Sequence, residues 1–238
     1  MRRLAIIPAR GGSKRIPRKN IREFMGKPMI TYAIEKAIQS NLFDEIMVST
    51  DDPEIAAIAE QYGANVPILR SKKNASDFAT TADVLLEVLN FYINKGVHFK
   101  YACCIYPSSP LISIATMEEA YQKMIDDRLD CVFPVVGFDY PIQRAFLIKN
   151  GKLDMVNPAH KNTRSQDLPS CYHDSGQFYW FNCSKLRKQK TLLTDNTGAI
   201  IVNPMEVQDI DEETDWQLAE LKYQLIQNKN EYKDTLSC

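Results

Sequence analysis

Apolar residues recur along this chain in two spacings, one typical of buried strands and the other of amphipathic helices. Continuous apolar runs occur at 3–8, 45–50, 65–70, 101–107 and 130–136. Segments with apolar residues at helical spacing lie between them, at 27–40, 51–64, 80–96 and 116–127. This alternation predicts an α/β fold, in which a mostly parallel twisted sheet carries helices on both faces.

Typical capping residues mark the ends of several predicted helices. Asp52 can cap the helix that follows it, Pro53 suits the first turn, and Gly63 suits the position just after the end. The next helix has an apolar stripe that we expect to be buried: Val84, Leu85, Val88, Leu89 and Tyr92. Two pairs have the spacing of a capping box: Thr116 with Glu119, and Thr214 with Gln217.

The alternating pattern stops near residue 137. Asn150-Gly151 stands between apolar flanks, which is a strong hairpin signal, and residues 157–171 are polar. We therefore expect a single domain over residues 1–238, with an inserted antiparallel lobe at about 138–190. After this lobe the chain returns to a helix with one apolar stripe: Trp216, Ala219, Tyr223 and Ile226.

The composition is that of an ordinary globular protein, with 238 residues, 45% hydrophobic and 25% charged, and a net charge of −1. A charge this close to zero gives no overall field that would attract nucleic acid or a membrane. No apolar run approaches the length of about 18 residues that spans a bilayer, and the start lacks a signal-peptide pattern. The six cysteines form no C-x-x-C pair, so we interpret them as reduced thiols of a cytoplasmic protein.

Charge is nevertheless concentrated in the stretch "IIPARGGSKRIPRKN" at residues 6–20. Eight Lys or Arg residues precede the first acidic residue, Glu23. Gly11 and Gly12 allow the backbone to approach a phosphate closely, and a turn after a buried strand lies where α/β proteins bind ligands. The glycine spacing fits neither the Walker loop nor the dinucleotide fingerprint. The turn predicts a polyphosphate site, and the alternative is a solvated basic turn.

A pair of acidic residues, Asp209 and Asp211, is the second chemical signal. Residues two apart in an extended segment face the same side, where two carboxylates repel each other unless a cation joins them. Mg²⁺, which Mn²⁺ can replace, would take oxygen atoms from both carboxylates and from phosphates. The alternative is that these acids cap the following helix. Asp51, in "STDD", is expected to be a loop or capping residue.

Five blocks carry a family resemblance: "IPARGGSKRIPRKNI", "VSTDD", "YPSSPL", "TRSQDLP" and "VQDIDEETDW". Their order and spacing resemble the CMP-sialic acid synthetases (acylneuraminate cytidylyltransferases) from residue 4 to about 225, and "YHDSGQFYW" is similar to the pseudaminic acid branch. The resemblance implies the Rossmann-like nucleotidyltransferase fold. It also implies a reaction in which CTP and a nine-carbon 2-keto sugar acid give the CMP-sugar and pyrophosphate.

The resemblance also implies roles for individual residues. Lys14 and Lys19 would bind the leaving pyrophosphate, with Arg10 as a third catalytic cation, whereas Arg15 and Arg18 either share this role or are solvated. Asp209 and Asp211 match the metal-binding acids of the family. The nucleotide would be bound by Arg10, Gly11, Gly12, Ser13, Lys14, Lys19, Asn20 and Arg70. Ser76, Asp77 and Thr80 join this set because they lie in the loop after Arg70, which we expect to contact the base.

The sugar acid needs an arginine or backbone donors for its carboxylate. Arg164 matches the family position, and Arg144 is a second candidate. Tyr106 stands where the sialic acid enzymes commonly have Gln, which favours pseudaminic acid over N-acetylneuraminic acid. The full set of expected sugar contacts is Tyr106, Ser108, Ser109, Arg144, Arg164, Gln166, Tyr172, His173, Asp174, Gln177 and Tyr179.

Other functions remain open from the sequence. A cytidylyltransferase could instead use N-acetylneuraminic, legionaminic or 3-deoxy-manno-octulosonic acid. Intact Lys14, Lys19, Asp209 and Asp211 count against an inactive nucleotide-binding protein. A nucleic-acid binder is disfavoured because aromatic residues do not alternate with the basic ones. By resemblance the inserted lobe would contact a second subunit in a homodimer; a lid on a monomer is the alternative.

Overall fold

The computed structural model describes the backbone of residues 2–236 and the side chains of residues 2–228. The strands are β1 Arg3–Pro8, β2 Glu23–Phe24, β3 Lys27–Pro28, β4 Glu45–Ser49, β5 Tyr101–Ile105, β6 Cys131–Gly137, β7 Phe146–Lys149, β8 Lys152–Met155, β9 Tyr172–Asp174, β10 Phe178–Asn182 and β11 Thr197–Ile201. The helices are α1 Met29–Gln39, α2 Pro53–Gln61, α3 Thr81–Asn94, α4 Ile114–Asp126, α5 Cys183–Gln189 and α6 Glu213–Leu236. Short 3₁₀ helices occur at Ile142–Arg144, Pro158–His160, Ser165–Asp167 and Pro204–Glu206.

A seven-stranded sheet forms the centre of the molecule, in the order β11-β6-β10-β5-β1-β4, with β9 also paired to β6. The pairs β1–β4, β1–β5 and β11–β6 are parallel, whereas β10 is antiparallel to both β5 and β6. Five strands therefore run in one direction, and β9 and β10 run against them. The expected mostly parallel twisted sheet is confirmed.

Helices cover both faces of this sheet, which explains why its central strands are apolar at most positions. In β1, Ala5 and Ile7 pack into the cluster under α1, α2 and α4, while Leu4 and Ile6 pack on the opposite side with α3 and α5. In β5, Cys103 packs on the first of these faces and Cys104 on the other. Burial of these thiols raises their pKa values, so they behave as small core residues.

Several expected helix ends and turns are confirmed. Asp52 caps α2 by accepting the backbone N–H groups of Glu54 and Ile55, and the apolar stripe of α3 is buried throughout. The Asn150-Gly151 turn joins β7 to β8 with both residues at positive φ, as the predicted hairpin type requires. Of the helices in the described residues, none is long and apolar enough to cross a membrane.

Three local predictions were wrong. Helix α4 begins one turn earlier than expected, because Ser113 and not Thr116 is its cap. At α6, Asp215 accepts the backbone N–H groups of Asp211 (3.0 Å) and Glu212 (2.9 Å), in place of the expected cap by Thr214 and Gln217. The apolar run at 65–70 forms only an isolated bridge between Met47 and Asn65 rather than a strand.

The inserted lobe is shorter than the expected span of about 138–190. Strands β9 and β10 belong to the central sheet, and α5 packs on it next to α3. The segment that leaves the sheet is therefore about 138–171, and it holds the β7–β8 hairpin and three 3₁₀ helices. Since the lobe departs after β6 and returns at β9, beside the same strand, it stands next to the carboxyl edge of the sheet.

Candidate active site

Three segments meet at the carboxyl edge of the sheet. The basic turn follows β1, Tyr106 to Ser109 follow β5, and a segment carrying Asp209 and Asp211 follows β11. Together they enclose a cavity of about 430 Å³. Its lining includes the cations and polar groups expected from the sequence: Arg10, Ser13, Lys14, Lys19, Asn20, Tyr106, Ser108, Asp209 and Asp211, together with Arg15. We call this space the basic cavity.

The two glycines of the basic turn have different surroundings. The Gly11 amide donates a hydrogen bond to Oδ1 of Asp51 (3.0 Å), and a Cβ at this position would lie 2.6 Å from Oδ2 of Asp52. A Cβ at Gly12 would meet nothing within 4 Å. The structure therefore requires glycine at 11 for close packing on the loop before α2, and leaves the backbone of Gly12 open to a ligand.

Arg18 fastens the turn to the rest of the protein. It adopts a left-handed backbone conformation with φ of 56°, and its guanidinium pairs with Asp52 and Glu54. Because Arg18 does not line the basic cavity, its role is to hold the turn against α2. Asp51 is a loop residue, as expected, and its carboxylate binds the turn directly.

The cations of the basic cavity are held by acidic and carbonyl oxygen atoms. Arg10 and Lys14 both pair with Asp77. Lys19 is the most buried of them, with 20% of its side chain exposed, and its Nζ donates to the carbonyl oxygen of Ile210 (2.5 Å) and lies 3.8 Å from Oδ1 of Asp211. Burial lowers the pKa of the Lys19 ammonium, while Asp211 and Asp209 oppose this change. Lys19 therefore joins the basic turn to the acidic segment.

The acidic pair has the geometry expected of an extended segment. Ile210 is fully buried, so Asp209 and Asp211 on either side both face the cavity. Arg15 pairs with Asp211 at 2.7 Å, whereas no hydrogen-bond donor reaches the Asp209 carboxylate from the described side chains. Burial raises the pKa of Asp209, and the charge of Asp211 raises it further.

This pair fits a divalent cation. A carboxylate that is partly buried beside a second one, with no donor of its own, gains most from a positive ion. Hard oxygen ligands next to a cavity lined with cations are what Mg²⁺ bound to phosphates requires. Within the described residues, no group of three or more His, Cys, Asp or Glu side chains could hold a metal. An ion here would therefore complete its coordination with substrate oxygen atoms or water.

A second cavity of about 440 Å³ lies on the other side of the acidic pair, which lines both spaces. We call it the acidic cavity. Asp174 and His173 contribute to it from β9. Tyr179 donates a hydrogen bond to Asp174, and the Gly176 amide donates to the same carboxylate at 2.8 Å. Ser175 also lines this cavity, and its buried hydroxyl has no partner among the described groups.

The sequence model of the cytidylyltransferase family matches residues 4–180. The chain belongs to the cytidylyltransferase family. A pseudaminic acid cytidylyltransferase from Campylobacter jejuni is 40% identical over 94% of this chain and 97% of its own length. A CMP-N,N'-diacetyllegionaminic acid synthase from Legionella pneumophila is 32% identical over 95% and 98%, respectively.

Solved structures agree with this family at the level of the fold. A CMP:2-keto-3-deoxy-manno-octonic acid synthetase, solved in complex with CTP, superposes with a TM-score of 0.68. It covers 96% of this chain and 100% of its own, at 20% identity. This cytidylyltransferase therefore has the expected Rossmann-like nucleotidyltransferase fold, and it is a nucleotidyltransferase enzyme.

Several residues expected to bind the nucleotide are engaged elsewhere in the cytidylyltransferase. Arg70 is buried and donates to the hydroxyl and carbonyl oxygen atoms of Ser49. Thr80 forms a capping box with Asp83 at the start of α3, and Ser76 donates to the carbonyl of Lys73. None of these three lines either cavity, and Asp77 makes ion pairs instead.

The residues expected to bind the sugar divide into three groups. His173 and Asp174 line the acidic cavity, and Tyr106 and Ser108 line the basic one. The second group makes hydrogen bonds within the fold: Ser109 donates to the carbonyl of Gly176, Gln177 to that of Glu206, and Tyr179 to Asp174. The third group belongs to the lobe and its exit and lines neither cavity; Arg144 is half-buried, and the others are exposed: Arg164, Gln166 and Tyr172.

The pairing of Arg164 explains part of this placement. Its guanidinium binds Asp167 three residues later, at 2.7 and 3.1 Å. The 3₁₀ helix at Ser165–Asp167 brings the two side chains of this pair together. The sequence "TRSQDL" contains both residues, but it does not show whether the arginine binds this nearby aspartate or a substrate carboxylate. In this conformation neither arginine of the lobe lines the two cavities that the acidic pair separates.

Lys222 is a residue of the acidic cavity that sequence reasoning missed. Its Nζ donates to the carbonyl oxygen atoms of Pro204 (3.0 Å) and Val207 (2.6 Å) and to Oε1 of Gln208 (3.1 Å). Lys222 therefore fixes the segment that leads into Asp209. A lysine on a surface helix gives no signal of this role, because its partners are backbone groups brought near by the fold.

The capping role of Asp215, by contrast, could have been predicted from the sequence, since it stands three residues after Glu212, the spacing of a capping box.

Proposed function

We propose that this cytidylyltransferase transfers CMP from CTP to a nine-carbon 2-keto sugar acid, most closely pseudaminic acid, and releases pyrophosphate. The observation that carries the proposal is the acidic pair Asp209 and Asp211, which separates a basic cavity from an acidic one. This arrangement suits a reaction that joins a triphosphate to an uncharged hydroxyl. The similarity to pseudaminic acid cytidylyltransferases supports the choice of substrates.

The chemistry requires the anomeric hydroxyl of the sugar to attack the α-phosphorus of CTP, with pyrophosphate as the leaving group. Such a transfer depends on alignment of the two reactants and on neutralisation of charge. Lys14 and Lys19 would neutralise the departing pyrophosphate, and Arg10 would bind the triphosphate beside them. Lys19 is the best placed for this role, since its contacts with Ile210 and Asp211 fix its position before substrate binds.

The acidic pair would hold Mg²⁺ or Mn²⁺. Such an ion, when bound, would neutralise phosphate charge at the junction of the two cavities. The protein contributes the fixed carboxylates: the buried Ile210 side chain orients both acids, and Arg15 holds Asp211.

The uncharged hydroxyl and N-acyl groups of the sugar would face the acidic cavity, where His173, Asp174 and the unpaired hydroxyl of Ser175 offer polar contacts. Tyr106 would influence indirectly which sugar acid this site accepts. Its hydroxyl lies 2.9 Å from that of Thr81, and its ring packs edge-on against Tyr179 at 5.5 Å. Tyr179 in turn positions Asp174. A substitution at Tyr106 would therefore alter the sugar contacts by moving Tyr179 and, with it, Asp174.

A substrate panel tests this specificity. We expect the highest kcat/KM with CTP and pseudaminic acid, since a site built around hydrogen bonds leaves its own polar groups unpaired when a stereoisomer binds. Pyrophosphate release would be measured with pseudaminic, N-acetylneuraminic, legionaminic and 3-deoxy-manno-octulosonic acids, each with CTP, ATP and GTP. A higher kcat/KM for N-acetylneuraminic acid than for pseudaminic acid would reject this sugar while leaving the cytidylyltransferase reaction in place.

The lobe supports a further part of the proposal, a homodimer in which this surface contacts a second subunit and helps cover the sugar site. The β7–β8 hairpin exposes large apolar side chains, including Ile148 at 77% and Leu153 at 69%. A contiguous exposed patch of this kind marks an interaction surface. Sedimentation of the wild type as a dimer, and of Ile148→Asp with Leu153→Asp as a monomer, would support it; a wild-type monomer at micromolar concentration would contradict it.

We also propose the cytoplasm as the compartment of this enzyme. Cys103, Cys104, Cys131, Cys171 and Cys183 are free thiols in the structure. Unpaired cysteines are typical of proteins kept in a reducing environment. Localisation of a tagged full-length chain by cell fractionation would test this assignment, and recovery with an exported fraction would contradict it.

A further inference from the structure

Asp77 lies on the loop between α2 and α3 and reaches into the basic turn. Its two carboxylate oxygen atoms bind two different cations: Oδ1 accepts from Nη1 of Arg10 at 2.6 Å, and Oδ2 accepts from Nζ of Lys14 at 2.5 Å. These residues are 67 and 63 positions away along the chain. A phosphate group bound at the same place would contact these two cations in the same way, with one oxygen atom on each.

We propose that Asp77 is an internal counter-ion that occupies Arg10 and Lys14 between turnovers, and that the polyphosphate of CTP or the pyrophosphate product competes with it. The inference rests on the proposed function, which assigns these two cations to the triphosphate. It gives Asp77 a role opposite to the expected one, because the carboxylate competes with the nucleotide instead of binding it. The effect is to weaken CTP binding and to promote release of pyrophosphate.

The strength of these contacts suits a competitor that must be displaced. The exposed fractions are 38% for the Arg10 side chain, 76% for Lys14 and 46% for Asp77. Exposed ion pairs contribute little net free energy, because water and salt screen them. A polyphosphate brings several charges and more oxygen atoms to the same cations, so it outcompetes a single carboxylate.

The loop is anchored in a way that leaves its tip free to give up these contacts. Glu87 accepts the backbone N–H of Ser71 (3.1 Å) and the amide of Asn74 (2.9 Å) at one end, and Thr80 caps α3 at the other. Between these anchors Phe78, next to Asp77, is 95% exposed, so its ring does not hold Asp77 in place by packing. Breaking the two ion pairs therefore leaves the core and both ends of the loop intact.

Titration calorimetry of the full-length protein with pyrophosphate and with CMP, at a fixed Mg²⁺ concentration, tests the inference. Asp77→Asn should bind pyrophosphate roughly three- to tenfold more tightly than the wild type, the scale of removing exposed ion pairs. CMP lacks the β- and γ-phosphates, so its affinity should change less than about twofold. Asp77→Glu retains the charge and should remain close to the wild type.

Glu87→Gln is the matched control. It removes one negative charge from α3, beside the loop that carries Asp77, and does not touch Arg10 or Lys14. Because glutamine keeps an oxygen atom that can accept the Ser71 N–H, the loop stays anchored and pyrophosphate affinity should be unchanged. Equal or weaker pyrophosphate binding by Asp77→Asn would overturn the inference, as would a gain by Glu87→Gln equal to that of Asp77→Asn. If the wild type binds neither CMP nor pyrophosphate, the proposed function itself fails, which is a distinguishable outcome.

Discussion

Replacing Lys19 by alanine is expected to lower turnover by about two to three orders of magnitude, the usual scale for losing one preorganised charge partner. Lys19 is fixed between the basic turn and the acidic segment, by the Ile210 carbonyl and by Asp211. No reorganisation is therefore needed when negative charge develops on the leaving pyrophosphate. The measurement is pyrophosphate release at saturating CTP and sugar acid.

Two further variants separate charge from packing. Lys19→Met keeps most of the aliphatic stem and should lose as much turnover as Lys19→Ala. Lys100→Ala removes the same charge at the amino end of β5, on the edge of the sheet opposite the site, and should leave turnover near the wild-type value. Near-normal turnover in Lys19→Ala would mean that this lysine is only a structural contact of the acidic segment.

The second large effect is expected at the acidic pair. Asp209→Asn and Asp211→Asn should each lower metal-dependent turnover by about a hundredfold or more, because each removes a ligand from an ion that neutralises phosphate charge. Activity of the wild type should require Mg²⁺ or Mn²⁺ and disappear when a chelator is added. Pyrophosphate release across a metal titration measures both effects, and far-UV circular dichroism checks the fold.

A carboxylate outside the site provides the control for this experiment. Asp127 pairs with Lys123 at the end of α4, and Asp127→Asn should retain full turnover and metal dependence. Since Asp215 caps α6 through its own side chain, the capping alternative for Asp209 and Asp211 has lost its structural basis. Unchanged metal dependence in both acidic-pair variants would place the ion elsewhere.

The parts of the fold that were predictable depend on local patterns. The buried stripe of α3 and the Asn150-Gly151 hairpin follow from side chains near one another in sequence. Strand β10 could not be placed in this way. It inserts antiparallel between β5 and β6, where Trp180 pairs with Cys103 and Val132, so its location depends on contacts between distant segments.

The same distinction between local patterns and distant contacts applies to the residues of the site. The basic turn and the acidic pair were visible because each concentrates one sign of charge within a short stretch. The ion pairs of Asp77 and the bonds of Lys222 were not visible, because their partners come together only when distant segments fold. Arg164 shows the reverse difficulty. A cation in a matching motif suggested a substrate contact, but its nearest partner is Asp167, on the same turn.

The most direct test of the central claim is the identity of the products when the purified protein is incubated with CTP, pseudaminic acid and Mg²⁺. Mass spectrometry of the reaction, together with a pyrophosphate assay, gives the stoichiometry. We expect one CMP-linked sugar for each pyrophosphate released, and no release when either substrate is omitted. Absence of a CMP-sugar with pseudaminic acid and with the other three sugar acids, from a folded protein that contains Mg²⁺, would contradict it.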